Sequence, residues 1–463
     1  MQSVREQYHA VMHAKSAREF FQNIPWGFIE ILAAVPAAVF ILSAFYQLIV
    51  ILTVPYGYSA ATAFARKIGL IFGGLMIILY AGKKTAEGEQ AVDFCRRSKP
   101  FVFFLAVMFL MVISTCINGF TPKALHGDVY RNESLFAFLM YFGIYYFCCS
   151  VIGRKKIKVL LEYLFVFVTF SVNGTVLFAT YVLNNRAFYT DELLGIFSQF
   201  NHYGYYLLLT IVLSSALTLL ETNRVLKCIC FLNFVSGTVL LIINNTFGCF
   251  LSCIAALIFS VIAVSVYRRK FSWGAAGMLL MFLLITFLMS FWMTTFFSNL
   301  IWLKNDIAAI SSGDEEQLAY AGTGRWALWR ETVQSIRERP LFGWGVEGIQ
   351  DRLYIASGIY QNNRPHNEYL QYAAFFGVPA ALLYLCGLFS LLCAAWKNRR
   401  ITDGYSVAAL CTAAAYLCSA LFGNTMHYTA PYLFIFLGLS FLPAGESKNR
   451  ADAGLQPEES SAG

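Results

Sequence analysis

The chain contains repeated apolar segments that are long enough to cross a lipid bilayer as helices. A spanning helix needs about 20 predominantly apolar residues, and a window of that length finds about twelve such segments among the 463 residues. Only 13% of the residues are charged, about half the share that is usual in soluble domains. The sequence therefore predicts an all-α fold, a polytopic transmembrane helical bundle. The predicted spans are 27–51, 66–81, 101–118, 134–152, 158–182, 201–220, 225–243, 247–266, 273–296, 368–396, 404–421 and 430–442.

The basic residues predict how this bundle is oriented. If the N-terminus is cytoplasmic, roughly 22 of the 34 Lys and Arg residues fall in cytoplasmic segments, as the positive-inside rule requires. An even number of spans returns the C-terminus to the same side. We therefore predict a multi-pass protein of the cytoplasmic membrane with both termini in the cytoplasm. The bases form no stripe with stacking aromatic residues, so a nucleic-acid partner is not expected.

The spans divide the chain into five segments. We expect a cytoplasmic amphipathic segment at 1–24 and the first nine spans within 25–296. An extracytoplasmic loop with an amphipathic helix follows at 297–365, and the last three spans lie within 366–442. The polar tail, 443–463, is expected to be disordered. The first span is too long for a signal-peptide core, so no cleavage is expected. The twelve cysteines form no pattern typical of a disulfide framework or a metal site.

The long loop contains the sequence "GTGRWALWRETVQSIRERP". It predicts a helix with Thr323 as the N-cap and Pro340 beyond its end. The apolar residues at helical spacing occupy one side and the arginines occupy other faces; the apolar ones are Trp326, Trp329, Val333 and Ile336. One interpretation is a surface helix anchored on the outer leaflet. The other is that arginines such as Arg325 and Arg330 face inward and bind an anion, because the planar guanidinium matches phosphate oxygens.

The next segment, "PLFGWGVEG", spells the glycine spacing of a dinucleotide-binding loop. No strand precedes it and no βαβ unit surrounds it, so we reject a dinucleotide site. We expect Gly343, Gly345 and Gly348 to permit tight turns where the loop folds back onto the bundle.

A polar cluster follows directly in "RPHNEYLQYAAFFGVP". We expect Pro365 to begin a helix whose first turn holds His366, Asn367 and Glu368. Free N–H groups at a helix start favour anions, and a histidine there can accept a proton or pair with phosphate. The alternative is a capping cluster at the water boundary. Further on, "FFGVP" predicts a break in the helix around Gly377.

Together these motifs resemble the C-terminal signature of the O-antigen ligase and polymerase superfamily. The resemblance rests on "GRWALWRETVQSIRERPLFGWGVEG" followed by "HNEYLQYAAFFGVPAALLYL", and on the upstream "GIFSQFNHYGYYLLL". It covers roughly residues 190–440. Arg325 falls on the arginine of the family's Gly-Arg…Trp motif and His366 on the histidine of its His-Asn motif.

The resemblance implies a GT-C type membrane glycosyltransferase. Such an enzyme takes a glycan from a polyprenyl diphosphate, such as undecaprenyl diphosphate, on the outer side of the membrane. The implied partners are this lipid-linked oligosaccharide, membrane lipids and envelope polysaccharide assembly proteins. Neither a metal nor another cofactor is expected. We assign catalysis to Arg325, as a stabiliser of the departing diphosphate, and to His366, as a general base for the acceptor hydroxyl. The substrate-binding candidates are Arg330, Arg352, Arg364, Asn367, Glu368, His202 and Asn201.

The chain departs from the ligase pattern at "NNTFGCFL", residues 244–251. Phe247 stands where ligases carry an arginine at the outer end of a mid-chain helix, and Arg186, Arg352 and Arg364 are the outer-side residues that can replace it. The sequence therefore favours a polymerase over a ligase to a lipid or protein acceptor. Two other classes stay open: a lipid-linked oligosaccharide flippase or transporter, against which the nearly uncharged spans argue, and a non-enzymatic glycolipid-binding scaffold.

Overall fold

The protein is described by a computed structural model that covers residues 6, 9–53, 77–78, 81–86, 98–127, 133–150, 155–189, 193–197, 199–292, 294–349, 353, 364–399, 403–427 and 429–440. Within these ranges the chain is predominantly helical and forms no strand. The predicted span at 66–81 lies almost entirely outside the described residues, and the predicted tail lies wholly outside them.

Seventeen α-helices lie wholly within the described residues. They are α1 Ala17–Asn23, α2 Trp26–Thr53, α3 Lys99–Asn118, α4 Pro122–His126, α5 Leu135–Ser150, α6 Lys155–Tyr181, α7 Phe200–Leu220, α8 Arg224–Asn244, α9 Phe247–Arg268, α10 Trp273–Ser290, α11 Thr294–Ser312, α12 Glu315–Tyr320, α13 Arg325–Glu338, α14 Glu368–Phe376, α15 Val378–Lys397, α16 Gly404–Ser419 and α17 Ala430–Ser440.

Eight of the described helices are long and apolar enough to cross a membrane, and α5, α16 and α17 are shorter apolar helices. Large apolar side chains on three of the long helices point away from the protein: Phe109, Leu280 and Phe389 are 65%, 65% and 68% exposed. Exposure of so many large apolar residues suits contact with lipid rather than water. The predicted all-α polytopic bundle is confirmed.

Helix α7 lies at the centre of the bundle. In its most apolar window 89% of the residues are buried, and it packs against α8, α9 and α16. A helix that is buried on all sides in this way needs apolar residues around its whole circumference. Its first residue, Phe200, accepts hydrogen bonds from Asn244 and Thr246 in the turn between α8 and α9.

The segment after the long loop is divided into two helices, as "FFGVP" predicted. Helix α14 ends at Phe376, Gly377 adopts a φ of 92°, and α15 begins at Val378. The break exposes backbone groups that the preceding loop satisfies. The N–H of Val378 donates to the Pro340 carbonyl at 2.8 Å, and the N–H of Trp344 donates to the Ala374 carbonyl at 2.9 Å.

The glycines of "PLFGWG" make this contact possible. Gly343 and Gly345 have φ values of 63° and 76°, in the left-handed region that favours glycine. A Cβ on Gly343 would lie 2.6 Å from the carbonyl oxygen of Ala374. The turns that we expected from these glycines are confirmed, and they hold the end of α13 against α14.

Helix α11 begins at Thr294 and continues past Phe297, where we expected the loop to begin. Of the four apolar residues expected on one side of α13, Ile336 is buried, whereas the other three face the surface. Trp326, Trp329 and Val333 line a surface groove with Arg330 and Arg337. The buried residues of α13 are Ala327, Leu328, Thr332, Ser335 and Ile336.

Candidate functional site

A small cavity lies at the N-terminal end of α7 and brings together motifs from distant parts of the chain. Its volume is about 20 Å³, which is room for about one water molecule. The lining residues are Gln199, Asn201, His202, Tyr205, Thr246, Gly248, Cys249, Arg325, His366, Ser419, Phe422, Gly423 and Asn424. Four of the residues selected from the sequence, Asn201, His202, Arg325 and His366, are therefore neighbours in the folded protein.

Arg325 is positioned by a turn in which three successive residues adopt left-handed backbone angles. Gly322, Thr323 and Gly324 have φ values of 61°, 58° and 81°. The N-cap of α13 is Gly324 rather than Thr323, and the Thr323 hydroxyl donates to the carbonyl of Gly322 at 2.6 Å. The prediction that Thr323 caps the helix is thus wrong, because Thr323 belongs to the turn. The turn makes Arg325 the first residue of α13.

The guanidinium of Arg325 is partly buried without a matching negative charge. Within the described part of the chain, no carboxylate forms an ion pair with Arg325, and no Asp or Glu lines the cavity. Burial lowers the pKa of Arg325, while Cys249 and Tyr205 oppose that shift. A desolvated cation with no counter-ion gains strongly from a bound anion. The cavity is therefore suited to an anionic group.

His366 is held at the cavity by its backbone rather than by a helix. Its φ is 51°, an uncommon conformation for which histidine is nevertheless enriched. The backbone N–H of His366 donates to Oδ1 of Asn424 at 2.8 Å, and the N–H of Glu368 donates to the Ala420 carbonyl at 2.8 Å. Both bonds attach the start of α14 to the connection between α16 and α17. Our expectation that His366 lies in the first turn of the helix is wrong, since α14 begins at Glu368.

The next two residues stabilise the start of α14. Asn367 is the N-cap, and its side chain accepts from the N–H of Leu370 at 3.1 Å. Glu368 is 2% exposed, and its carboxylate accepts from the Tyr416 hydroxyl at 2.9 Å. Neither side chain lines the cavity. In this structure both side chains form hydrogen bonds within the protein, which agrees with the interpretation of this segment as a capping cluster.

The N-terminus of α7 is fixed to the turn between α8 and α9. The Asn244 amide donates to the carbonyls of Leu193 at 2.7 Å and of Phe200 at 3.1 Å, and the Thr246 hydroxyl donates to Asn244 Oδ1. Gly204 allows the close approach, because a Cβ there would lie 2.9 Å from Thr246. Both amide hydrogens of Asn244 are thus used within the protein, and this turn forms one wall of the cavity.

That wall is also where the sequence departs from the ligase pattern. Phe247 is the first residue of α9 and stacks on Phe250, and its neighbours Thr246, Gly248 and Cys249 line the cavity. Arg325 lines the same cavity. The structure thus places one arginine beside the turn that lacks the ligase arginine.

The remaining arginine candidates do not reach the cavity where the structure describes them. Arg330 is exposed and pairs with Glu315 at 3.3 Å, on the outer side of α13. Arg364 does not line the cavity either. Arg352 lies outside the described residues, and so does the side chain of Arg186. Arg330 and Arg364 therefore do not lie at the cavity, where we expected substrate-binding residues.

Arg364 lies at the centre of a buried ionic cluster. Its guanidinium pairs with Glu133 at 3.0 Å and with Glu347, and all three side chains are at most 1% exposed. The Tyr141 hydroxyl donates to Glu133 at 3.2 Å, and the amide of Gln371 lies 3.4 Å from the same carboxylate. The guanidinium also lies over the ring of Phe375. This cluster joins the start of α5, the loop after α13 and the start of α14, so Arg364 holds the backbone that presents His366.

The sequence does not predict the part of the cavity formed by the last residue of α16 and the connection after it. Ser419, Phe422, Gly423 and Asn424 line it, and none of them belongs to a motif that the sequence analysis selected. The available signal was the polar pair Asn424–Thr425 between two apolar helices. Among the described residues, no group of three His, Cys, Asp or Glu could hold a metal ion.

The fold and the cavity define a polytopic helical membrane protein with a site suited to an anion at one end of its bundle. Residues 232–385 match the family model described as O-antigen ligase. The matched segment runs from α8 into α15 and contains Cys249, Arg325 and His366. It confirms the resemblance to the superfamily of O-antigen ligases and polymerases and implies lipid-linked polysaccharide as the kind of substrate. No curated protein matches the chain.

Proposed function

We propose that the protein is a membrane glycosyltransferase that polymerises glycan units linked to a polyprenyl diphosphate. The observation that carries this proposal is the cavity itself. Arg325 and His366 line one cavity, and none of the described residues that line it is an Asp or Glu. The leaving group of such a donor is a diphosphate, whose departure requires stabilisation of negative charge more than protonation.

The position of the cavity in the bundle supports an extracytoplasmic reaction. The cavity lies beside the C-terminal end of α8 and the N-terminal end of α9. The opposite ends of these helices carry Arg224 and Arg268. Because clustered basic residues favour the cytoplasmic side, the cavity would open toward the outer side. A donor diphosphate anchored by its polyprenyl chain is held near that boundary.

Arg325 would act on the departing diphosphate. As the bond between the anomeric carbon and the diphosphate oxygen breaks, negative charge grows on that oxygen, and the guanidinium stabilises it. Removing a preorganised donor of this kind raises the activation free energy by about 2.7–4 kcal/mol in other enzymes. The acceptor hydroxyl oxygen forms the new glycosidic bond, and its proton ends on the released diphosphate. Atoms and charges balance without a further reactant.

The cavity must widen for this reaction, because a volume of about 20 Å³ holds no sugar. The backbone bonds of α14 to the connection after α16 fix His366 firmly, whereas Arg325 is attached through the glycine turn of residues 322–324. We therefore expect α13 to move with Arg325 when the donor binds, in the manner of loops that complete a site around their substrate.

The polymerase is favoured over a ligase because Phe247 stands where ligases carry an arginine, next to residues that line the cavity. Purified protein in liposomes, supplied with a defined polyprenyl-diphosphate oligosaccharide, tests this choice. A ladder of longer lipid-linked products supports polymerisation. Transfer only to an added acceptor lipid or protein would instead establish a ligase. Translocation of the intact donor without any transfer would establish a transporter and overturn the proposal.

A further inference from the structure

The Asn424 side chain contacts His366 twice, and the first contact fixes the orientation of the amide. The backbone N–H of His366 lies 2.8 Å from Oδ1 of Asn424. A backbone N–H is always a donor, so the amide atom that faces it must be the oxygen. The Asn424 amide nitrogen therefore points the other way, toward the imidazole.

The second contact then indicates which ring nitrogen of His366 carries the proton. The Asn424 amide nitrogen lies 3.4 Å from Nδ1 of His366. An amide NH₂ group is only a donor, so Nδ1 must be the acceptor, and a neutral imidazole with an acceptor at Nδ1 carries its hydrogen on Nε2. Protonating both nitrogens would set two donors against each other at this contact.

The chain on both sides of Asn424 is held by contacts with other parts of the protein. Asn424 is 7% exposed. The next residue, Thr425, donates its N–H to Oε1 of Gln371 at 3.4 Å and accepts from Nε2 of Gln371 at 2.5 Å. The preceding residue, Gly423, packs so closely on Tyr205 that a Cβ would overlap the tyrosine hydroxyl. The segment on both sides of the amide is therefore fixed.

We propose that Asn424 is a positioning residue that holds His366 in the tautomer with hydrogen on Nε2. His366 then donates a hydrogen bond to an anionic oxygen of the substrate and does not take the proton of the acceptor hydroxyl. This role differs from the general base that the sequence suggested, because a neutral base would need its free lone pair on the nitrogen that faces the substrate. The substrate oxygen rests on the proposed function, whereas the tautomer is inferred from the two contacts with Asn424.

The tautomer is measurable without any substrate. Nitrogen-15 NMR of the full-length protein with labelled histidine distinguishes protonated from unprotonated ring nitrogens, and a His366→Gln spectrum identifies the signals of His366 among the six histidines. We expect hydrogen on Nε2 and none on Nδ1 at neutral pH. In Asn424→Asp the carboxylate still accepts from the backbone N–H but also accepts from the ring, so hydrogen should move to Nδ1. A wild-type ring protonated on Nδ1 would overturn the inference.

Transfer measured with two variants of His366 distinguishes a hydrogen-bond donor from a general base. The side-chain nitrogen of glutamine lies near the position of Nε2, so His366→Gln keeps a donor there but cannot act as a base. We expect His366→Gln to keep transfer within about tenfold of wild type, while His366→Ala loses about 10²–10³-fold, the usual effect of removing one such donor. Equal loss in both variants, with both correctly folded by thermal unfolding, contradicts a donor role. If wild-type protein transfers no glycan at all, the proposed function fails, whereas the NMR result still decides the tautomer.

Discussion

Arg325 and His366 line the same cavity although they reach it by different means. Arg325 begins α13 after a glycine turn, and His366 precedes α14 with its N–H bonded to Asn424. The first is a cation without a carboxylate partner among the described residues, and the second is an imidazole in a fixed backbone position. An anion bound between them would be held from two sides.

Replacing Arg325 should abolish most of the activity without weakening the fold. Arg325→Ala removes the cation that stabilises the departing diphosphate, so we expect transfer to fall about 10²–10³-fold. Because Arg325 forms no ion pair with the described residues, its thermal unfolding temperature should stay near that of wild type. Transfer is measured as lipid-linked product formed by the reconstituted protein.

Arg337→Ala is the matched control for this variant. Arg337 lies on the same helix and is exposed in the groove beside the tryptophans, so its removal changes the charge of the helix but not of the cavity. We expect unchanged transfer. If Arg325→Ala remained fully active, or if both variants lost activity equally, a specific role for Arg325 at the diphosphate would be untenable.

Much of the fold and part of the site could be predicted from the sequence because both depend on local pattern. Apolar segments of sufficient length define the spans, and Gly377 followed by Val378 and Pro379 defines a break. The motif arginine and histidine were also recognisable. Thr323 was assigned wrongly because a threonine before a helix usually caps it, whereas here it lies between two glycines in a left-handed turn.

The remaining features depend on partners that are distant in the sequence. The sequence favours Arg364 as a substrate-binding residue because it is an arginine on the outer side, yet its charge is balanced by Glu133 and Glu347. Asn424 reaches His366 only because α16 returns the chain to the same end of the bundle. No local pattern identifies such pairs, since polar residues at the ends of spans usually meet water.

Removing Arg364 should destabilise the protein strongly at pH 8. Arg364→Ala leaves the carboxylates of Glu133 and Glu347 buried without their cation, which typically costs about 3–5 kcal/mol. Thermal unfolding in detergent measures the effect, with Arg399→Ala, a partly exposed arginine just beyond the end of α15, as the control. Adding Glu133→Gln and Glu347→Gln to Arg364→Met should restore part of the loss. An Arg364→Ala protein as stable as wild type would show that the cluster does not hold the loop.

The same cluster should make stability depend on pH. Burial raises the pKa of Glu133 from 4.5 to about 7, against the opposing effect of Arg364. Between these two values the unfolded chain loses the proton while the folded protein keeps it, so the stability should decrease as pH rises from about 4.5 to about 7. The shift corresponds to about 3 kcal/mol.

Glu133→Gln isolates this contribution because glutamine does not titrate. The difference in unfolding temperature between wild type and Glu133→Gln should therefore change across this pH range and become constant above about pH 7. Other titrating groups affect both proteins equally and cancel in the difference. A difference that is flat from pH 4.5 to 8 would mean that Glu133 is ionised throughout, with Arg364 outweighing burial.

Replacing Gly377 should separate α13, which begins with Arg325, from α14, which follows His366. Gly377 has a φ of 92°, and a Cβ there would overlap the carbonyl of Leu341. Gly377→Ala therefore has to push the loop after α13 away from the break, and we expect a loss of stability well above the roughly 1 kcal/mol scale of ordinary glycine replacements.

Gly277→Ala is the matched control, because Gly277 is within α10 with no atom near the added methyl group and alanine favours helix. Thermal unfolding and transfer should both decrease in Gly377→Ala and stay at wild-type level in Gly277→Ala. If Gly377→Ala unfolds at the wild-type temperature, the contact between this loop and the helix break does not support the position of His366.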